Sequence, residues 1–481
     1  MVYISIHFYT LKHIIPLRSG QERHIFVYSH ATKTMDIESL ARQMIHEGKK
    51  PVNIVQSLAE YIQSVKCVSD AYAKELAQAV FEEVSYTIGV DDDIFVYARS
   101  GVGMGEFGVG SRGTGDFYTH RKIAEIIGKT DAAVGVDQMD DAGVIQVNDQ
   151  YVVCTVDGMH SRLSEYPFLA AFHTTRATLR DCLVMGAKPI MLFSDIHVAD
   201  DGDTAKIFDY TAGITAVGEL VGVPLVAGST LRIGGDMVLG DRLVGCVGCV
   251  GIAQHLTARK NIEPGHIVLM TEGAGGGTIA TTALFSGHAD VVSRTLNLKF
   301  LTATQKLLES PVLSTISSMT DVTNGGLRGD VHEMAQTANC HFVIYENAVH
   351  DLVDPEVMKM LSDLSIDYLG ISLDALLIVA PPDVAPAIIE VVQSAGVAIS
   401  LIGEVQHVKA DGPGATLCDK NGNEHDFSPK FREAPYTPIK KVVDRQERRS
   451  FEEMKNKVDR AAQEAITKKK RIMSYIQSTQ P

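Results

Sequence analysis

Tryptophan is absent from the 481 residues, and no stretch approaches the roughly 18 consecutive apolar residues of a membrane-spanning helix, which argues against a membrane partner. Cysteine is sparse and odd in number. Cys67, Cys154, Cys182, Cys246, Cys249, Cys340 and Cys418 are scattered and lie mostly inside apolar runs, so the expectation is reduced, buried thiols in a cytosolic protein rather than a disulfide framework. Cys246 and Cys249 sit three apart in DRLVGCVGCVGIA, and on a strand they point to opposite faces and do not chelate together. Positive charge is also short. With 44 Lys and Arg against 59 Asp and Glu the net charge is −15, which speaks against nucleic acid or an anionic membrane as partner of the body. A phosphate bound by such a chain has to be held locally, by backbone N–H groups and a metal. The first 34 residues lack the basic, apolar and small-residue order of a secretory leader, and a good helix start, DIESLARQMI, follows Met35, so translation is expected to begin at Met35.

What the chain does have is glycine, 41 residues of it, and 45% hydrophobic residues, a composition that fits α/β layers joined by tight turns. Residues 1–100 read as a helical N-terminal extension, with apolar residues at spacings of three and four from Ile37 to Val84 and Pro51 separating the first helix from the second. Strands and helices alternate over 101–255 and again over 256–432, predicting two α/β domains of similar size. From 433 to 481 the composition turns to charge, and Phe451, Met454, Val458, Ala461, Ala465 and Ile472 predict a long amphipathic helix as a C-terminal tail. Between Gly101 and Gly115, GVGMGEFGVGSRGTG carries seven glycines and matches neither the P-loop nor the dinucleotide fingerprint. It reads equally well as a phosphate lid and as a mobile linker.

Four acidic sites stand out. They are Asp140–Asp141 in VDQMDDAGVI, Asp157 in YVVCTVDGMH, Asp181 in TLRDCLVMGAKPIML and Asp321 in DVTNGGLRGDVHEMA. Singly, each has a bland reading as a turn residue, a surface helix residue or a cap, and Gly325 and Gly326 as a tight turn. Converging on one cleft, the carboxylates would repel one another unless a divalent cation and a phosphate chain lay between them. That predicts Mg-nucleotide chemistry. His332, one turn into the following helix, reads as an ordinary surface or core histidine.

In that order and over about residues 110–405, the four motifs resemble the PurM-like superfamily. The resemblance implies a two-domain α/β (α+β) fold whose N-terminal domain forms a β-barrel in a homodimer, with ATP in a cleft near the interface. It implies that Asp140, Asp141, Asp157, Asp181 and Asp321 hold Mg²⁺. Asp157, Thr230, Gly325 and Gly326 are implied to bind the nucleotide, together with Gly113 and Gly115, which would close over the phosphates with Lys122. Lys122 and Asp181 are the implied catalytic residues. The activity implied is transfer of the γ-phosphate of ATP to an oxygen of a small substrate, giving ADP. Departures from relatives narrow the reading. The Gly-rich segment has no Cys before Lys122, against selenide chemistry; the chain ends MSYIQSTQP without a terminal Cys, against thiocarbamate dehydration; and AGST has Ser229 where relatives often carry an acid. The alternative is a nucleotide-binding maturation or assembly factor with little turnover, whose added helices grip a client protein.

Overall fold

A computed structural model describes residues 36–92, 94–111, 113–323, 325–446 and 448–479; the expectation about Met35 and the residues before it lies outside them. The chain forms two compact units. One comprises the residues up to 102 with 234–240 and 455 onward, the other 103–233 with 241–454. Among the described residues no helix is long and apolar enough to cross a membrane.

The first unit holds three helices, α1 (Ile37–His46), α2 (Pro51–Val65) and α3 (Asp70–Thr87). Asp36 caps α1 through Ser39 N–H at 2.7 Å, Ser69 caps α3, and Pro51 opens α2, where a missing N–H costs nothing. Their apolar stripes bury Ile37, Ala41, Ile54, Leu58, Ile62, Ala77, Val80 and Val84 in one core, against which Met237 and Leu239 pack.

The second unit begins with the short α4 (Met104–Phe107) and α5 (Thr114–Ile127). Its first lobe is a five-stranded sheet of order β1-β2-β5-β3-β4, from β1 (Gly143–Val147), β2 (Gln150–Gly158), β3 (Lys188–Val198), β4 (Leu225–Arg232) and β5 (Leu243–Ala253). All neighbours are antiparallel except β3 and β4, which α7 (Ala205–Val221) joins as a crossover. Beneath the sheet lies α6 (Pro167–Val184), packed against α7, β5 and β2 and buried on almost every side.

The second lobe is a seven-stranded sheet of order β12-β11-β8-β10-β6-β9-β7, made of β6 (Ile267–Thr271), β7 (Ser318–Asp321), β8 (Cys340–Tyr345), β9 (Leu376–Ala380), β10 (Ile399–His407), β11 (Gly414–Cys418) and β12 (Glu424–Asp426). It carries α8 (Gly277–Phe285), α9 (Val292–Thr295), α10 (Lys299–Leu308), α11 (Gly326–Ala338), α12 (Glu346–His350), α13 (Pro355–Asp363) and α14 (Ala385–Ser394). The two lobes share a core: Val144, Leu183 and Val247 of the first pack in one cluster with Leu269, Phe300 and Leu376 of the second. After β12 the chain runs through α15 (Pro438–Asp444) into the long α16 (Phe451–Thr479).

Helical and mixed α/β regions thus follow the pattern of the sequence, with corrections. Each sheet has only one parallel pair, in keeping with the expected α/β (α+β) class; two details differ. Ala465 on α16 is exposed, whereas Met454 and Ala462 are buried. All seven cysteines are free, but Cys67 and Cys154 are exposed rather than buried.

Candidate active site

A cavity of about 820 Å³ opens in the second unit, and Asp140, Asp141, Asp157, Asp181 and Asp321 all line it. Four separate pieces of chain bring them there. Asp140 and Asp141 follow Met139, whose left-handed backbone (φ 52°) turns the chain into β1. Asp157 stands near the end of β2, and Asp321 ends β7. Asp181 is near the end of α6, and that helix explains its exposure to the cavity. His173, Thr174, Ala177, Arg180 and Asp181 recur at spacings of three and four, so they form one stripe, and it is this stripe of an otherwise buried helix that faces the opening.

The carboxylates are held in tension by two arginines. Arg259 is buried and reaches Asp141 at 2.6 Å, Glu333 at 3.4 Å and Asp140 at 3.8 Å, while donating to Thr320 Oγ1 at 2.9 Å and the Met139 carbonyl at 2.7 Å. Burial opposes its charge, but Asp141, Glu333 and Asp140 outweigh that and hold its pKa above the ordinary value. Arg180 forks, meeting Asp321 at 2.8 Å and Asp374 on its other side, and Asp374 is shared with buried Arg176. Burial, opposed by Arg259 and reinforced by Asp141, pushes Asp140 up to about 6. Asp181 is driven well above the usual carboxylate range by burial first, then by Asp157, Asp321 and Asp141. Thr155 Oγ1 lies 3.3 Å from Asp181 Oδ2.

Charge decides whether these residues suit a divalent cation. Six aspartates, these five and Asp116, line the cavity with Glu333 against two guanidiniums, one of them shared with Asp374, and Asp141 Oδ2 is buried without a hydrogen-bond partner. An all-oxygen, strongly anionic set of this kind fits Mg²⁺. Among the described residues, no three His, Cys, Asp or Glu side chains are already gathered at metal-binding spacing.

The N-terminal domain described for AIR synthase related proteins matches residues 139–253, and the corresponding C-terminal domain matches residues 263–413. The uncharacterized protein MJ1416 of Methanocaldococcus jannaschii is 46% identical over 454 residues, 92% of this chain and 98% of the relative. This chain belongs to the AIR synthase related family. Thiamine-monophosphate kinase of Pyrococcus horikoshii is 24% identical over 228 residues, 47% of this chain and 70% of the relative. Among solved structures, the hydrogenase maturation protein HypE in complex with ATP superposes with a TM-score of 0.52 at 20% identity, covering 59% of this chain and 86% of its own. The fold of this AIR synthase related chain is therefore PurM-like.

The remaining expected site residues of this family member fall elsewhere. Lys122 does not line the cavity; its Nζ pairs with Glu125 Oε1 at 2.8 Å and lies 5.1 Å from the centre of the Tyr118 ring. Gly113 and Gly115 stand where other backbone passes close. A Cβ on Gly113 would run into the Phe431 carbonyl, and one on Gly115 into the Phe107 carbonyl. From the same segment Gly110, Asp116 and His120 line the cavity instead, with buried Asp116 accepting from Gly110 N–H at 2.9 Å. Thr230 is exposed on β4, paired with Ile196, away from the cavity. Gly325 (φ 122°) and Gly326 (φ 66°) make the turn into α11, where Gly326 abuts the backbone of 369–371; neither lines the cavity. The cavity's Arg259, Glu333, Asp116, His160 and His173 were not singled out by the sequence. Arg180 had a signal, a basic residue beside an acid within an apolar helical run.

Proposed function

We propose that this protein is a Mg²⁺-dependent enzyme that transfers the γ-phosphoryl group of ATP to an oxygen of a small substrate and releases ADP. One observation carries the reading: five aspartates from four distant segments share one cavity in which Asp181 is crowded by Asp157, Asp321 and Asp141. In this proposal Asp140, Asp141, Asp157, Asp181 and Asp321 hold the cation, which when bound offsets charge on the phosphate oxygens. Arg180 and Arg259 keep those carboxylates oriented, and Gly110 and Asp116 border the phosphates from the Gly-rich segment. Similar proteins, a thiamine-monophosphate kinase and the hydrogenase maturation protein HypE solved in complex with ATP, lend support. The test is Mg-ATP incubated with a metabolite extract. Substrate-stimulated ADP release that disappears in Asp181→Ala supports the enzyme; absence of ADP with every fraction overturns it.

The proposal includes a homodimer. Strand register puts Ile145, Val156 and Leu231 on one face of the five-stranded sheet, and each is more than half exposed, an apolar surface suited to a second copy. Val156→Asp is expected to shift the sedimenting species to monomer, and an unchanged mass would remove this face from the interface. A cytosolic setting belongs to the same proposal, supported by seven free thiols.

A second reading, a nucleotide-binding assembly factor that grips a client, is favoured by exposed Tyr86, Phe95 and Tyr97 in the first unit, outside both family-matched ranges. A stable co-purified partner with nucleotide left intact would select it.

A further inference from the structure

One rim of the cavity has almost no structure of its own. Met104, Val109 and Gly110 line it, and they belong to α4, a helix of only four residues, and to the turn that follows it. A helix that short does not persist unaided, and glycines at 101, 103, 105, 108 and 110 remove what backbone stiffness remains. Gly101, Gly108 and Gly110 have φ between 66° and 79°, and a Cβ on Gly101, Gly103, Gly105 or Gly110 would meet nothing within 4 Å. The order of this rim therefore comes from outside it.

It comes from the chain beyond β12. Arg432 donates through Nη2 to the Gly105 carbonyl and, at 3.2 Å, to that of Glu106, two carbonyls that so short a helix leaves without partners of its own. Its stem packs on Gly108, where an added Cβ would sit 3.2 Å from Arg432 Cγ. Arg449 closes a two-pronged ion pair on Glu106, with Nε 2.8 Å from Oε1 and Nη2 2.5 Å from Oε2. Phe451 stacks on Phe107 with ring centroids 5.6 Å apart and planes 10° apart, and Phe431 meets Phe451 edge-on at 6.0 Å.

The other end of this strap is fixed in the second lobe. Phe427, Ala434 and Tyr436 are buried in its core, Glu433 accepts from Arg328 at 2.7 Å and from the Lys430 N–H at 2.8 Å, and Lys441 reaches the Leu364 carbonyl at 2.6 Å. Arg328 stands on α11, the helix that also brings Glu333 to the cavity. The two ends differ in strength. Glu106 and Arg449 are each about 30% exposed, so water and salt weaken their attraction, whereas Glu433 and Arg328 are buried.

We propose that Arg432, Arg449 and Phe451 form a latch that keeps α4 closed on the cavity, and that a ligand enters and leaves when this weaker end of the strap lets go. None of the three lines the cavity, and they and α4 lie outside both family-matched ranges. They are positioning residues. That the ligand is a Mg-nucleotide rests on the phosphoryl-transfer reading; the latch itself does not.

The experiment compares the unmodified full chain with Arg432→Ala and with Glu106→Gln in two measurements. Hydrogen exchange of the unliganded protein reads the Phe107 and Val109 amides, which donate to the Gly103 and Met104 carbonyls at 3.0 Å. Arg432→Ala is expected to speed their exchange at least about tenfold, as for loss of a hydrogen bond from a charged group, with a smaller rise in Glu106→Gln and no change in α6. Stopped-flow release of a fluorescent non-hydrolysable ATP analogue with Mg²⁺ is expected to accelerate in the same order. Should Arg432→Ala fail to fold, Glu106→Gln, at a partly exposed site, decides. Exchange at Phe107 and Val109 that ignores the substitutions, or that rises together with exchange in α6, overturns the latch. Unchanged release despite loosened amides overturns its control of the cavity. Failure of the analogue to bind the unmodified chain strikes at the nucleotide reading alone, and the exchange result then decides the latch.

Discussion

The acidic wall and the Gly-rich segment border the same cavity, yet their residues are selected by different forces. On the acidic wall the constraint is electrostatic: carboxylates crowd one another and two arginines hold them in place. In the Gly-rich segment the constraint is steric. Gly113 and Gly115 are small because the chain at Phe431 and the carbonyl of Phe107 pass against them, and Thr114 N–H donates to the Lys430 carbonyl at 3.0 Å. An aspartate here thus reports on the charges around it, whereas a glycine reports on the backbone beside it.

Substitutions can break that contrast. The largest effect is expected from Arg259→Met, which leaves Asp140, Asp141 and Glu333 buried without their cation and should cost about 3–5 kcal/mol in the metal-free protein, read by denaturant unfolding. Partial recovery on adding Mg²⁺ would show that charge is the cause, and a loss under 1 kcal/mol would break the electrostatic account. Asp181→Asn should lower Mg-ATP affinity roughly 100-fold, about 2.7 kcal/mol, without lowering the metal-free melting temperature, since it removes a repelled carboxylate. Gly113→Ala should cost about 1–3 kcal/mol by overpacking, with Mg²⁺ giving no recovery. Recovery would place Gly113 with the electrostatic residues.

The pH dependence separates the regions further. Asp140 has its folded pKa raised from 3.8 to about 6, so its contribution favours the metal-free fold below pH 3.8 and is lost as pH rises through 6. Relative to Asp140→Asn, the unmodified protein's thermal stability should decline over that window. The smallest effect is expected at Lys122, whose Nζ is engaged by Glu125. Lys122→Ala should change Mg-ATP affinity less than about threefold, the scale of an exposed ion pair. A hundredfold loss would mean that the segment swings inward when nucleotide binds.

These cases also mark what could be read from sequence. The three N-terminal helices were legible because apolar residues recur at three and four between unmistakable stops such as Pro51. The acidic motifs were legible because a carboxylate beside a turn is conspicuous in an apolar run. Arg259 was not, since nothing in TARKN betrays a fully buried guanidinium; its partners Asp141 and Glu333 lie 118 and 74 residues away. The packing role of Gly113 and Gly115 was not legible, because a glycine set against other backbone looks the same in sequence as one set against a ligand until the carbonyls of Phe431 and Phe107 come into view. Strand direction was not specified, because alternation of strands and helices leaves it open.

The hydrophobic interior running from Val144 and Val247 to Phe300 and Leu376 has no seam at residue 255. A gene divided there would yield two fragments that each turn half of a shared oily interior toward water. Neither half is a portable module.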